Sequence, residues 1–587
     1  MHLTKSLISL VAGTTIVIFS GQNTMAQQSV LPVPKTSPTR EEINPAPIQN
    51  RPAASSVQID SSRATSAGPC PLSDSEVHAT FTQVRFIGAN GATLAPELAV
   101  LLAGIAPPAG DQPVKVVCDL RDEAQTRLRT AHYVASIQVP QQRIDQGTLT
   151  LEVVVGRITE VRIRGSAGPY EKLLTSRINA LRAIDPLNEE DAKRILLLAN
   201  DIPGLQVGLN LSPVGTRPGD LIGELTINYR PYSIAANVQN YNSTFLGREA
   251  IFLRGEFYGL TGLGDLTSLA LVATADFREQ RIAQVRHAML VNDSGDTISV
   301  SGTLAESRPD LKSLDLRTVS LVGALEYAHP IVRTVASRLT ASGGFEYAQQ
   351  RTKVYSQGIS SALTRDRIAA IFARLVGNAR KVRPDGTLSA GISGQFEVRK
   401  GLDILGATKA KTITPSGYGP SRFEGSSTAT IVRGDAQGFI GVGPIFELGA
   451  SVRGQWANRP LLNYDEFSIG NLTIGRGYDP GANSGDRAIG FTIEPRANVP
   501  LGPETSAQVY GFYDGIKLWN LDTGSTEARR YLASVGGGVR FSYGELARLD
   551  LTYTHPLDPP LLAGTNIRPP KDRVLASLTL QFSPHSR

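Results

Sequence analysis

Thr387-Leu388-Ser389-Ala390-Gly391-Ile392-Ser393-Gly394-Gln395-Phe396-Glu397-Val398-Arg399 is the stretch on which the fold turns. In an extended chain Leu388, Ala390, Ile392, Phe396 and Val398 fall on one face. Thr387, Ser389, Ser393, Gln395, Glu397 and Arg399 fall on the other. Alternation between an apolar face and one mixing amides with both signs of charge describes a strand between lipid and a watery lumen. Packed dry against a second sheet, the polar face would bury charges without partners, which a soluble sandwich cannot tolerate.

The same reading extends in both directions. Phe491 and Ile493 alternate with Thr492, Glu494, Arg496 and Asn498, and residues 531–541 repeat the pattern. The last apolar face, Val574, Ala576, Leu578, Leu580 and Phe582, opposes Ser577, Thr579 and Gln581 close to the C-terminus and suits a barrel-closing strand. From about Ser233 to Phe582 helical periodicity is absent, and turns are rich in Gly, Asp, Asn and Ser. Roughly 350 residues at about 22 per strand and connection predict about 16 antiparallel strands of about 9 to 11 residues. No repeat of the length of a propeller blade is visible.

Upstream, Lys5, the apolar run Leu7 to Phe19 and Thr24-Met25-Ala26 before Gln27 read as a secretory signal peptide over 1–26. No later apolar run approaches the roughly 18 residues of a membrane-spanning helix, so any crossing must be made by strands. Residues 27–72 hold eight prolines and seven serines and form a tail or linker. Proline at 32, 34, 38, 45, 47 and 52 leaves no three-turn stretch before residue 53, which makes this possible plug region a weak candidate for a helix that fills the barrel.

Two α/β units follow. Strand 81–87, helices 94–103 and 120–133, and strands 134–139 and 148–155 form a βααββ unit within 73–156. Strand 158–163, helices 170–181 and 189–200, and strands 206–211 and 221–229 repeat it within 157–232. Asn188 is placed as N-cap of the last helix, with Asp191 and Leu187 as a variant capping box and staple. Glu171, Lys172, Arg177, Glu189 and Glu190 read as solvated helix-face charges.

Cys70 and Cys118 either pair, closing a 48-residue separation worth about 4 kcal/mol in the chain-entropy model, or remain two separate buried thiols. The net charge of +6 comes from 59 basic and 53 acidic residues spread along the chain, so no nucleic-acid footprint is visible. The seven histidines are scattered, which argues against zinc, and no cofactor motif is present. Neither a phosphate-binding Gly-Lys loop nor a nucleophile, base and acid grouping stands out, so an enzyme is not expected.

This order of signal peptide, Pro-rich segment, two βααββ units and barrel resembles the two-partner secretion transporters, the TpsB or haemolysin secretion/activation family. Val139-Pro140-Gln141-Gln142-Arg143-Ile144, residues 147–153 and Gly156-Arg157-Ile158 resemble the junction between that family's two polypeptide-transport-associated (POTRA) domains. Asn200-Asp201-Ile202-Pro203-Gly204 resembles the turn after the last helix of its second POTRA, and 240–247 with Gly262-Leu263-Gly264-Asp265 the opening hairpin of its barrel. The cysteines match a pair in the first POTRA of many members. Ile474-Gly475-Arg476-Gly477-Tyr478, between the eleventh and twelfth expected strands, resembles the signature of a sixth extracellular loop that folds into the lumen. Its partner in the family is an aspartate on strand 13, where this chain has Phe512-Tyr513-Asp514-Gly515-Ile516. The resemblance therefore implies a lumenal loop lock of Arg476, Gly477, Tyr478, Phe512 and Asp514. Ile516 stands where the motif has glycine, which leaves the backbone past Asp514 in question.

The implied function is export of an unfolded, secreted partner protein of the TpsA kind, such as a haemolysin or adhesin, driven by folding outside the cell. The transporter would be a monomer in outer-membrane lipid with its POTRA domains in the periplasm. Insertion of other barrels into the membrane is the alternative, though such relatives usually carry more than two POTRAs. A passive porin would not need the two α/β units at all.

Overall fold

The computed structural model describes residues 38–43, 59–60, 69–144, 146–214, 217–311, 314–383, 387–525, 527–561 and 571–584. The expected signal peptide and most of the Pro-rich segment lie outside the described residues. Two short pieces of that segment are described: a helical turn α1 (Arg40–Ile43) and a two-residue strand β1 (Ile59–Asp60).

In the first α/β unit β2 (His78–Thr80) pairs with β4 (Asp111–Pro113), while β3 (Gln83–Gly88), β5 (Ala135–Gln138) and β6 (Thr148–Val155) form a sheet in the order β3-β6-β5. Alternation along β6 buries Leu149, Leu151 and Val153 beneath α2 (Pro96–Leu102) and α3 (Val116–Thr130). On α3 the inward stripe is Val117, Leu120, Ala124 and Leu128, the three-and-four spacing of one helix face. Cys118 on that helix is bonded to Cys70, with Cα atoms 5.9 Å apart. The Gln142 side-chain amide exchanges two 2.7 Å hydrogen bonds with the Thr150 backbone, extending the pairing beyond the end of β5.

The second unit runs β7 (Arg157–Gly165), α4 (Glu171–Arg182), α5 (Glu189–Asn200), β8 (Leu205–Pro213) and β9 (Asp220–Tyr229). Asn188 caps α5 by accepting a 2.9 Å bond from the Glu190 N–H. Its sheet has the order β1-β8-β9-β7, so the tail strand occupies the outer edge of β8, with Ile59 opposite Leu209 and Asp60 opposite Asn210. The two units abut through Val134, whose N–H donates to the Leu187 carbonyl while its own carbonyl accepts from Gly156.

Sixteen antiparallel strands then close into a barrel. They are β10 (Tyr232–Gln239), β11 (Ala250–Tyr258), β12 (Leu266–Thr274), β13 (Gln280–Leu290), β14 (Thr297–Ser307), β15 (Asp315–Arg333), β16 (Ser337–Ser356), β17 (Ile359–Val382), β18 (Leu388–Leu402), β19 (Thr430–Val442) and β20 (Phe446–Ala457). After a loop holding the small pair β21 (Phe467–Ser468) and β22 (Ser484–Gly485) come β23 (Arg487–Pro500), β24 (Thr505–Trp519), β25 (Arg529–Tyr543), β26 (Ala547–Pro556) and β27 (Arg573–Phe582). Closure pairs β10 with β27 from Ile234↔Phe582 to Gln239↔Ser577. On β18 the alternation resolves as the sequence demands: Ile392 and Phe396 are exposed toward lipid, and Glu397 and Arg399 are buried inside.

Since β10 leaves the second α/β unit, its start marks the periplasmic end. That unit docks on the first periplasmic turns of the barrel. Arg333 makes a two-pronged pair with Asp201 at 2.7 and 2.9 Å, and the Tyr229 hydroxyl donates to the Tyr258 carbonyl at 2.6 Å. Arg177 corrects the sequence reading. It is not a solvated charge but is buried, with its guanidinium donating to the Asp293 backbone carbonyl. No helical pattern reveals this, because the partner lies 116 residues away.

Candidate functional site

Along β24 the inward positions are Tyr510, Phe512, Asp514, Ile516 and Leu518, all buried, while Val509 and Tyr513 point toward lipid. Facing them inside the barrel is the loop 458–486, which enters from the extracellular end between β20 and β23. It buries Ile469, Ile474 and Tyr478 against Ile516, Leu518 and Leu532 of the wall. A loop made only of polar residues would have no such reason to leave the solvent.

Arg476 is held at the centre. Its backbone N–H donates to Asp514 Oδ2 at 2.9 Å, Nη2 reaches Oδ1 at 3.1 Å, and Nη1 reaches Glu494 Oε2 at 2.5 Å. Its guanidinium lies 3.5 Å from the centroid of the Phe512 ring. The Thr492 hydroxyl donates to Asp514 Oδ1 at 2.8 Å, so the carboxylate is oriented from the wall as well as from the loop. Planar, multi-toothed pairing of this kind fixes direction as well as position.

Gly477 passes so close to the wall that an added Cβ would stand 2.7 Å from Ser534 Cβ and 3.1 Å from Pro556 Cα. Its N–H donates to the Ser534 hydroxyl at 3.2 Å. The Tyr478 hydroxyl donates to the Ala533 carbonyl at 2.8 Å and lies 3.0 Å from that of Asp558. Arg476, Gly477, Tyr478, Phe512 and Asp514 therefore meet in one cluster, whereas Cys70 and Cys118 belong to the first periplasmic unit. Past Asp514 the ladder continues without a break, Ile516 pairing with Gly490 on one side and Leu532 on the other. The isoleucine fills the space beside Gly475, whose φ of +94° suits glycine.

Three groups around this cluster carry no motif. Glu494 is shared by Arg476, Arg496 and Arg540, making it the common counter-ion of three guanidiniums. Nearer the extracellular end, Arg422 of the loop 403–429 joins Asp486 at 2.5 Å and Glu466 at 3.0 Å and also bonds Asp522, clasping three extracellular loops together. Asp486 in turn accepts from the N–H groups of Leu461 and Leu521, both at 2.7 Å. Inward parity along the strand marks Glu494 in the sequence. Nothing local marks Arg422 or Asp486.

The third group is the turn α1, which sits inside the barrel. Arg40 bonds Glu346 at 3.1 Å, Gln350 donates to the Pro38 carbonyl at 3.0 Å, and Ile43 is fully buried among Phe252, Val272, Ile282, Val322 and Leu462. Glu346 also receives Arg399, which is buried in the wall and faces Asp465 of the inner loop. Beside loop and turn lies a cavity of about 510 Å³ lined by Arg374, Glu397, Arg433, Asp435, Arg548 and Asp550. That is the size of a small-molecule pocket. A polypeptide needs the loop or the turn to move.

Comparison with known proteins agrees with this fold. The haemolysin secretion/activation protein ShlB/FhaC/HecB family matches residues 320–541. The haem/hemopexin transporter protein HuxB of Haemophilus influenzae is 23% identical over 458 residues, covering 75% of this chain and 77% of its own length. In fold, the chain is similar to CdiB from Escherichia coli, with a TM-score of 0.65 and 15% identity over 93% of this chain and 94% of that one. CdiB from Acinetobacter baumannii gives a TM-score of 0.58 and 15% identity over 92% and 93%. With its two α/β units, its closed barrel, its inward-folded loop and the family match over residues 320–541, the chain is similar along most of its length to the two-partner secretion transporters of the outer membrane.

Proposed function

We propose that this chain carries an unfolded partner protein from the periplasm to the cell surface through the barrel, as a non-enzymatic monomer embedded in outer-membrane lipid. Residues 73–156 and 157–232 serve as receiving domains and 233–587 as the conduit. The observation that carries this reading is the plugged lumen beneath docked α/β units: the loop seated on Asp514 and the turn α1 fill the barrel from opposite ends of the chain. A passive porin would keep that space open, and its solutes would have no use for sheets that offer edges to an extended chain.

Reception by strand addition has a geometric consequence. The outer edge of β8 is already taken by Ile59 and Asp60, so cargo pairing there displaces the tail and pulls on α1, 16 residues upstream. In this reading Arg476 and Asp514 act as a lock that keeps the inner loop in register while the path opens. Removing the chain from cells that make the cargo tests the proposal directly: the cargo should accumulate in the periplasm. Cargo that still reaches the surface in the deletion strain refutes it.

A further inference from the structure

The strands β15, β16 and β17 are far longer than a membrane crossing needs, at 19, 20 and 24 residues. Their outward faces can be followed row by row. On β17, positions of outward parity between Lys381 and Arg367 run from Ala379 through Leu375 and Ile371 to Ala369, the last of which is itself covered. Ten residues span about 34 Å of strand, which at a tilt of about 40° is roughly 26 Å of height, matching the apolar band of such barrels. Arg367 therefore stands at the outer rim of the band, at the level of the outer-leaflet headgroups.

Just above that rim the three strands gather cations on one face. Arg317 of β15 lies directly opposite Lys353 of β16, and Arg351 of β16 directly opposite Arg365 of β17. Arg367 is two residues below Arg365 and bonds Gln349 at 3.0 Å. All five share the outward parity of Leu321, Ile371 and Leu375, and they alternate with the buried Thr318, Gln350, Thr352 and Asp366. Like charges directly opposite one another destabilise a strand pair. The fold holds two such pairs side by side.

Little on that face offsets them. Asp315 serves Arg317 at 2.9 Å but is shared with Arg308 at 2.8 Å. Glu306, opposite Val319 on the next strand, forms no ion pair with Arg351. Among the described residues neither Arg351, Lys353 nor Arg365 has a carboxylate partner, and the buried Arg365 Nε lacks a hydrogen bond. The guanidiniums are nonetheless held in place, Arg317 4.0 Å above Tyr355 and Arg365 4.1 Å above Tyr418. Elsewhere the rim carries Trp456, Tyr531 and Tyr553, with Lys517 stacked singly on Trp519 and Tyr531.

We propose that this outward patch of Arg317, Arg351, Lys353, Arg365 and Arg367 binds the phosphates of an anionic glycolipid in the outer leaflet. Strand spacing of about 4.8 Å and a repeat of about 6.8 Å along each strand put the five cations within one headgroup's reach. The apolar rows directly below would receive its acyl chains. Phosphate supplies the counter-charge and acceptors that the opposed pairs lack.

The test titrates the purified full-length protein in detergent micelles with bis-phosphorylated lipid A, followed by native mass spectrometry. Binding should saturate, and Arg351→Gln/Arg365→Gln should weaken it about 30-fold, at roughly fivefold per cation near an anionic lipid surface. Arg351→Lys/Arg365→Lys should retain most of the binding. Without lipid, the Gln variant should unfold at the same temperature as the parent or higher, because two opposed charges are gone; a purely structural role would lower it. Dephosphorylated lipid A should bind poorly and inorganic phosphate should not displace the lipid. Binding by the Gln variant within twofold of the parent overturns the proposal, as does equal binding of dephosphorylated lipid A. Displacement by inorganic phosphate would leave a simple ion site. Stronger displacement by polyglutamate would assign the patch to an acidic polypeptide.

Discussion

Replacing Asp514 with alanine removes the wall's grip on the inner loop. The Asp514 side chain is 1% exposed and that of Arg476 19% exposed, so both charges sit largely out of bulk solvent. Breaking a buried pair by deleting one partner costs about 3–5 kcal/mol, and Glu494 retains one arm of Arg476, which lowers the expected cost to about 2–3 kcal/mol. That shifts the released-to-seated ratio of the loop by roughly 30- to 150-fold. The barrel wall should survive, because the β24 ladder does not depend on the carboxylate. Release can be read by introducing Thr473→Cys, which lines the lumenal cavity, and following its labelling by a membrane-impermeant maleimide. The natural cysteines are bonded to each other and give no background. Labelling should accelerate in Asp514→Ala while the folded barrel still migrates as such on unheated gels, and export of the cargo should fall. Combining Asp514→Ala with Arg476→Ala should cost much less than the sum of the two, since both remove one interaction. Unchanged labelling and unchanged export in Asp514→Ala would refute the lock.

Three further outcomes follow from the same contacts. Gly477→Ala should displace the loop at a cost of about 1–3 kcal/mol, because its Cβ would meet Ser534 Cβ at 2.7 Å and the Pro556 backbone nearby, and the Thr473→Cys labelling assay would register it. Arg333→Ala should loosen the second α/β unit from the barrel without unfolding either, seen as faster hydrogen exchange around Asp201 and in the turn 291–296. Arg40→Ala leaves Glu346 paired with Arg399 but frees α1, so single-channel conductance in planar bilayers should rise above that of the parent.

Much of the architecture is legible in the residues alone because a strand between lipid and water must alternate. Ile392 and Phe396 against Glu397 and Arg399 state which way each side chain points, and the position of Phe512 and Asp514 on one parity of β24 places both inside. The βααββ order of the second unit is written in the switch from two-residue to helical periodicity, whereas the first also holds the pair β2 and β4, whose three-residue strands are too short to show a period. Where reading fell short, the contact crosses the chain. Arg177 looks like any helix-surface cation until the turn at Asp293 packs against it. Arg422 and Asp486 sit in loops with no period, 64 residues apart.

By itself, then, the sequence determined the strand faces, the order of units and the loop that carries Arg476, because these depend on neighbours one to four residues away. Only the tertiary structure decided what fills the barrel. Closing sixteen strands brings Glu346, Arg399 and Asp465 together around Arg40, and sets Glu494 amid three arginines. It also aligns Arg351 with Arg365 across two strands whose register no local pattern states. Register and closure are properties of the whole sheet, summed over every pair in the ladder, and a single strand does not contain them.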